Sequence, residues 1–148
     1  MPTQEQRTVL SLEAINSLIP ELTELVSKQL KLRHDIEGRL SSLASTLGEV
    51  PESIVISPND PAELRDQKRD LAVRIEEYRA GWKQVETMGG VVKDARTGLV
   101  DFYGQVDGKT VWLCWKYGES QVTHYHALDE GYTARKELRT SMKIRSLN

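Results

Sequence analysis

The sequence predicts an α+β fold, a long antiparallel helical hairpin packed at its base on a small antiparallel β-meander of about four strands. Three observations carry this expectation. Apolar residues recur at alternating steps of three and four through residues 11–88. A connection over residues 48–60, punctuated by Pro51 and Pro58, divides that stretch in two. Past Gly89-Gly90 the spacing changes to the two-residue alternation of strands. All 148 residues read as a single domain, with the hairpin at 11–88 and the meander and a C-terminal tail at 90–148.

Thr8-Val9-Leu10 reads as a short strand. Ser11 then offers an N-cap oxygen, and Glu13 places a negative charge in the first turn, where the helix dipole favours it. Ile15, Leu18, Leu22, Leu25, Leu32, Ile36, Leu40 and Leu43 form a heptad-like stripe of coiled-coil type, with Gln29 at the missing seam position. Pro20 lacks a backbone donor and disfavours helix at Ile19. The expectation is therefore a short helix, a kink, and a long helix to about Leu47. Gly38 sits in its middle at a cost of about 1 kcal/mol relative to alanine. Gly48 supplies a left-handed stop. In the connection, the apolar triplet Ile54-Val55-Ile56 is expected to fold back over Leu47 and Leu64, with a partner contact as the alternative.

The second helix has Asp60 as N-cap, Pro61 at its first position and Glu63 completing a capping box. Leu64, Leu71, Ile75, Tyr78, Trp82 and Val85 make its seam, and Asp70–Arg74 is an i,i+4 ion pair. Two such helices joined by a short loop pack antiparallel. The meander then follows. Val91-Val92 and Leu99 to Tyr103 flank a turn at Asp94 to Gly98, and Asp107-Gly108 marks a tight hairpin before Lys109 to Lys116. Tyr117 to Ser120 turns into a fourth strand, Gln121 to His126, and Leu128 to Gly131 turns again.

Composition excludes several function classes. A net charge of −2 gives no broad field for nucleic acid or anionic membrane. The basic tail (Arg135, Lys136, Arg139, Lys143, Arg145) has no aromatics interleaved beyond Tyr132, which argues against a nucleic-acid partner. No apolar run approaches the roughly 20 residues that cross a bilayer. A single cysteine makes no internal disulfide and suits a reducing compartment. The N-terminus lacks the pattern of a secretory signal, so the expected localisation is cytoplasmic.

The chemistry-bearing residues cluster at Leu113 to Ser120 and His124 to His126. Alternation places His124 and His126 on one face and Trp112 with Cys114 on one face. The hairpin register decides whether the two faces coincide. If Lys116 pairs with Gln121, Cys114 points away from the histidines; a one-residue slip brings it to their side. Two histidines at i,i+2 with Cys114 or Glu119 could hold a divalent metal, the candidate set being His124, His126 and Glu119. Cys114 as nucleophile with a histidine base, oriented by Asp101 or Glu119, is weighed against burial between two tryptophans. Tyr103, Trp115 and Tyr117 could wall a small-molecule pocket, with Glu119, His126 and Arg135 as its polar groups. The competing reading pairs Arg135 with Glu119 or Asp129 and fastens the C-terminal segment to the sheet. His34 reads as a solvated helix residue.

Three stretches, Thr8 to Leu22 with Pro20 included, Gly98-Leu-Val-Asp-Phe102, and Leu113-Cys-Trp115 with Gly118-Glu119, His126, Gly131 and Arg135, carry a resemblance. They are similar to the opening helix, an internal segment and the C-terminal signature of an uncharacterised, largely bacterial family catalogued as domain of unknown function 2203. Tyr103, Ala134 and Tyr125 stand where the pattern has proline, glycine and tryptophan. The resemblance implies no established activity. It favours His126 over His124 and nominates Asp101, Cys114, Glu119, His126 and Arg135 as one constellation. The resulting expectation is a binding or interaction module with a polar and aromatic pocket on the sheet, with Trp115 among the ligand-binding candidates, and helix-mediated self-association as a homo-oligomer. The alternative is a metal-dependent enzyme using His126 with Cys114 or Glu119.

Overall fold

A computed structural model describes residues 11–139 and 142–146, so the strand expected at residues 8–10 lies outside the described residues. Two helices, α1 (Leu12–Leu47) and α2 (Ala62–Thr87), precede six strands: β1 (Val91–Asp94), β2 (Leu99–Val106), β3 (Lys109–Lys116), β4 (His124–Ala127), β5 (Lys136–Glu137) and β6 (Ile144–Ser146). The fold is α+β, as the change of rhythm near Gly90 predicts. The sheet is antiparallel in the order β1-β2-β3-β4-β5. The added β6 shares an edge of β2 with β1, pairing Gly104–Val106 while β1 pairs Leu99–Asp101.

Helix α1 begins as its cap residue dictates, with Ser11 Oγ accepting from the Ala14 N–H at 3.0 Å. It ends at Gly48, whose φ of 84° lets its N–H turn back to the Ala44 carbonyl. The expected separate short helix does not form, for α1 runs unbroken through Pro20. The reason is tertiary. Ile15, Ile19 and Leu22 are all buried around the proline, and a break there would lift one of them off the sheet. Ile19 and Val26 join Ile15 and Leu22 as fully buried positions, a wider stripe than a two-position seam supplies.

Helix α2 starts differently from the expected capping box. Pro61 occupies the N-cap position and makes no side-chain cap bond. Asp60 instead accepts from the Ser57 N–H and from Lys68 Nζ, each at 2.8 Å. The expected Asp70–Arg74 pair is also replaced by contacts across the hairpin. Arg74 Nε lies 3.4 Å from Asp35, and Arg39 Nη1 lies 4.0 Å from Asp70. Of the apolar triplet in the connection only Ile54 is half-buried, while Val55 and Ile56 face solvent.

One crossing point fixes how the helices approach. Gln29 is 1% exposed and donates through Nε2 to the Tyr78 carbonyl at 2.6 Å. A Cβ at Gly81 would fall on the Gln29 amide, so the absence of a side chain there lets the helices meet. Below this crossing, Ile15, Ile19, Leu22 and Val26 of α1 and Val85 of α2 cover one face of the sheet, formed by Val100, Phe102, Val106, Val111, Leu113 and Trp115.

Candidate metal centre

The site lies on the other face, and strand alternation puts it there. If Val100, Phe102 and Leu113 point at the helices, Asp101, Tyr103, Trp112 and Cys114 point away. The Asp107-Gly108 turn, with φ of 50° and 81°, sets the β2–β3 register and places Asp101 opposite Cys114. The β3–β4 register pairs Cys114 with His124 and Trp112 with His126. This is the slipped alternative of the two, so the cysteine and both histidines share a face. It is held from outside the strands. Trp115 Nε1 donates to the Glu119 carbonyl at 2.8 Å, the Lys116 N–H to Glu119 Oε1 at 2.6 Å, and the Val122 N–H to Asn16 Oδ1 at 2.8 Å. Strand β4 therefore starts at His124 rather than at Gln121.

Three buried side chains converge on this face. Asp101, Cys114 and His126 are 1%, 1% and 3% exposed. One ligand atom from each, a carboxylate oxygen, a thiol sulfur and a ring nitrogen, lies within 4.8 Å of the others. His126 Nε2 reaches diagonally across β3 to Asp101 Oδ2 at 2.8 Å. Its Nδ1 lies 3.0 Å from the Ala127 carbonyl, which can only accept, so Nδ1 carries a proton. Nε2 and Asp101 then share one further proton between them. Asp101 Oδ1 is buried with no hydrogen-bond partner.

Arg135 closes one side. Its Nη1 lies 4.0 Å from Cys114 Sγ, and its guanidinium makes a bidentate pair with Glu119 at 3.1 and 3.0 Å. The pairing reading of Arg135 thus describes its contacts, and the guanidinium also lies over the Tyr132 ring. His124 stands at the rim, with Nδ1 at 2.8 Å from Thr123 Oγ1 and 4.0 Å from Glu119 Oε2. The constellation nominated by resemblance, Asp101, Cys114, Glu119, His126 and Arg135, is therefore one connected network. Among the described residues, the three ligand atoms that meet come from Asp101, Cys114 and His126, not from His124, His126 and Glu119.

Trp115 belongs elsewhere. It is fully buried on the helix-facing side with Tyr117 edge-on to its ring, so neither walls a pocket beside Cys114. The aromatic neighbours on the Asp101 face are Tyr103 and Trp112, stacked with centroids 4.0 Å apart, and Lys93 Nζ sits 3.8 Å from the Trp112 ring centroid. Lys93 is not among the residues singled out from the sequence; its place on this face follows from the pairing of Val91, two residues before it, with Asp101, and from the alternation of Val91 and Lys93. His34 is exposed on α1, as expected.

Burial sets the electrostatics. It raises the Asp101 carboxyl above its ordinary value, against the opposing pull of His126. It pushes the Cys114 thiol from 9.0 up to about 12, with the Asp101 carboxylate adding to the shift. Burial works against the Arg135 charge, but the hydrogen bonds it donates to Glu119 and Cys114, with the Glu119 charge, outweigh it and hold the guanidinium above its usual range. A thiol at about 12 is not a nucleophile at neutral pH. Both ring nitrogens of His126 are also committed elsewhere, to Asp101 and to Ala127. The arrangement does not activate Cys114 by a histidine base. It offers instead one oxygen, one sulfur and one nitrogen donor around a point.

Comparison with curated proteins and with solved structures gave no match. Among protein families, residues 9–138 match one described as an uncharacterized conserved protein, DUF2203. The match covers most of the sequence, including both helices and every residue of the buried network. The chain belongs to the DUF2203 family.

Proposed function

We propose that this chain is a binding module for a thiophilic divalent transition metal, zinc foremost, held by Asp101, Cys114 and His126. The observation that carries the reading is that one ligand atom each of buried Asp101, Cys114 and His126 lies within 4.8 Å of the others, beside an Asp101 Oδ1 with no firm hydrogen bond of its own. A buried carboxyl oxygen without a partner costs about 1–3 kcal/mol, and a bound cation would remove that cost. Mixed sulfur, nitrogen and oxygen donors select zinc-like ions over magnesium or calcium, which take oxygen ligands. The Nδ1–H bond from His126 to Ala127 fixes the tautomer whose Nε2 lone pair faces the cluster. Ligand atoms around tetrahedral zinc lie about 3.3–3.8 Å apart. The 2.8 Å pair must open slightly, and the sulfur must close in, for all three to ligate.

Charge balance supports the same reading. Burial disfavours the charged forms of Asp101 and Cys114, and a divalent cation would offset both charges. Arg135, neutralised by Glu119, is positioned to donate to a Cys114 thiolate without adding a net positive charge. Calorimetric titration of metal-free protein with Zn²⁺, in two buffers of different ionisation enthalpy, tests this. One ion per chain is expected, with release of about two protons, one from the Asp101–His126 pair and one from Cys114. Cys114→Ser and His126→Ala are each expected to weaken binding by more than about 100-fold, beyond the effect of losing an outer partner. Cobalt(II) loading should give a thiolate-to-metal absorption band that Cys114→Ser abolishes. No stoichiometric uptake of either ion overturns the proposal.

A further inference from the structure

A second feature, independent of the metal reading, lies on the outward face of α2. Val73 is 46% exposed there, and Ile56 of the inter-helix loop is 42% exposed beside it. With Ala72 and Ala80 they line a shallow groove of about 610 Å³, with Arg69 at one end and Glu76 and Glu77 between Val73 and Ala80. The loop is held in place. Lys68 Nζ donates to the Val55 carbonyl and to the Asp60 carboxylate, each at 2.8 Å, and the Lys68 and Asp60 side chains are only 12% and 13% exposed. Ile56 is thus presented by a fastened segment, which lowers the ordering cost of covering it.

The charges around this apolar strip are spaced for self-recognition. Arg69 precedes Val73 by one helical turn, and Glu76 and Glu77 follow it by one turn, so basic and acidic groups sit about 6 Å to either side. A two-fold axis at Val73, perpendicular to α2, reverses the helix direction in the second copy. It brings Arg69 of each copy, which lies 3.6 Å from Asp66 of its own helix, against Glu77 of the other, while Glu76 keeps its own Arg79 at 2.9 Å. A surface shaped for an unrelated partner has no need of this symmetry. We propose that this face is a homodimer interface, in which α2 packs antiparallel on α2 of a second copy, with Val73 and Ile56 at its centre and two Arg69–Glu77 bridges flanking them.

The test is sedimentation equilibrium of the full chain from micromolar to millimolar concentration. A monomer–dimer equilibrium that weakens with added salt is expected, since the flanking bridges are screened. Val73→Asp should give a monomer throughout. Arg69→Glu and Glu77→Arg should each weaken association by about tenfold, and the double variant should regain most of the loss, because the swapped charges oppose correctly again. These positions are exposed, so far-UV circular dichroism should be unchanged in every variant. A wild-type chain that stays monomeric over the whole range overturns the proposal. So does a dimer indifferent to Val73→Asp, or a double variant no better than the single ones.

Discussion

Replacing His126 with alanine removes the 2.8 Å partner of a buried carboxyl whose other close neighbour is the Cys114 thiol. Asp101 is 1% exposed, its Oδ1 is already unpaired, and His126 supplies the 2.8 Å bond to Oδ2. The group left behind costs about 1–3 kcal/mol, and the cavity of the lost ring adds to it, for a total of about 3–5 kcal/mol. His126→Ala in metal-free protein should therefore lose stability in that range. Asp101→Asn is the informative counterpart. It keeps the shape and removes a charge that burial already disfavours. Its amide N–H can donate to Nε2, because Nδ1 holds the ring proton on Ala127. The expected cost is about 1 kcal/mol, well below that of His126→Ala. Urea unfolding followed by tryptophan fluorescence measures both, since Trp112 and Trp115 flank Cys114 on β3. Equal slopes would show that the difference in midpoint is a difference in stability. If Asp101→Asn proved as costly as His126→Ala, the pair would be a true ion pair and the shared-proton account would fail. If His126→Ala cost under about 1 kcal/mol, the site would not be sealed as described.

Two further outcomes follow from the geometry. Gly81→Ala should destabilise the hairpin by about 1–3 kcal/mol, despite alanine's advantage of about 1 kcal/mol in helices, because its Cβ displaces the buried Gln29 amide. Adding Gln29→Ala should recover part of that loss in thermal unfolding, and a stabilised Gly81→Ala would refute the crossing. Cys114 should make the metal-free protein alkali-sensitive. Its folded pKa is raised from 9.0 to about 12, so its contribution is fully present below about 9 and is lost as pH rises toward 12. The full loss is roughly 4 kcal/mol, from about 1.4 kcal/mol per pK unit. Urea midpoints between pH 8 and 10.5 should fall more steeply for the wild-type chain than for Cys114→Ala, and parallel curves would contradict the shift.

Local signals in the sequence located most of the elements. Ser11, Gly48 and the Asp107-Gly108 pair each act within a few residues, so their effects could be read without knowing the fold. The misreadings have a common cause, competition from distant partners. Pro20 would break an isolated helix, but Ile15, Ile19 and Leu22 bury together against the sheet. Asp60 has the chemistry of a cap and serves Lys68 and Ser57 instead. Arg74 turns from Asp70 to Asp35 on the facing helix. Gly81 carried no signal of its own, for its role exists only once Gln29 lies across from it. Within the site, strand alternation identified which residues could share a face but not which strands would face each other in step. The hairpin register supplied that, setting both Asp101 and His124 beside Cys114, and His124 then turns to Thr123 and Glu119 at the rim while Asp101 meets Cys114 and His126.

That register depends on residues outside the site. Between β2 and β3 a two-residue turn leaves little freedom, so Asp101 and Cys114 are paired by local geometry. Between β3 and β4 the connection is seven residues long, and a slip by one would turn both histidines toward the helices. Glu119 prevents the slip. Its backbone carbonyl holds Trp115 in the core, one Oε1 contact holds the end of β3, and the same carboxylate receives Arg135 from the segment before β5. Asn16 on α1 fixes Val122 from the other side of the sheet. The apolar core and the buried polar cluster are thus two faces of one registration, and Glu119 touches both. Its likeness to a ligand in the sequence follows from proximity to Arg135 and His124, while its contacts are those of a residue that aligns the strands carrying Cys114 and His126.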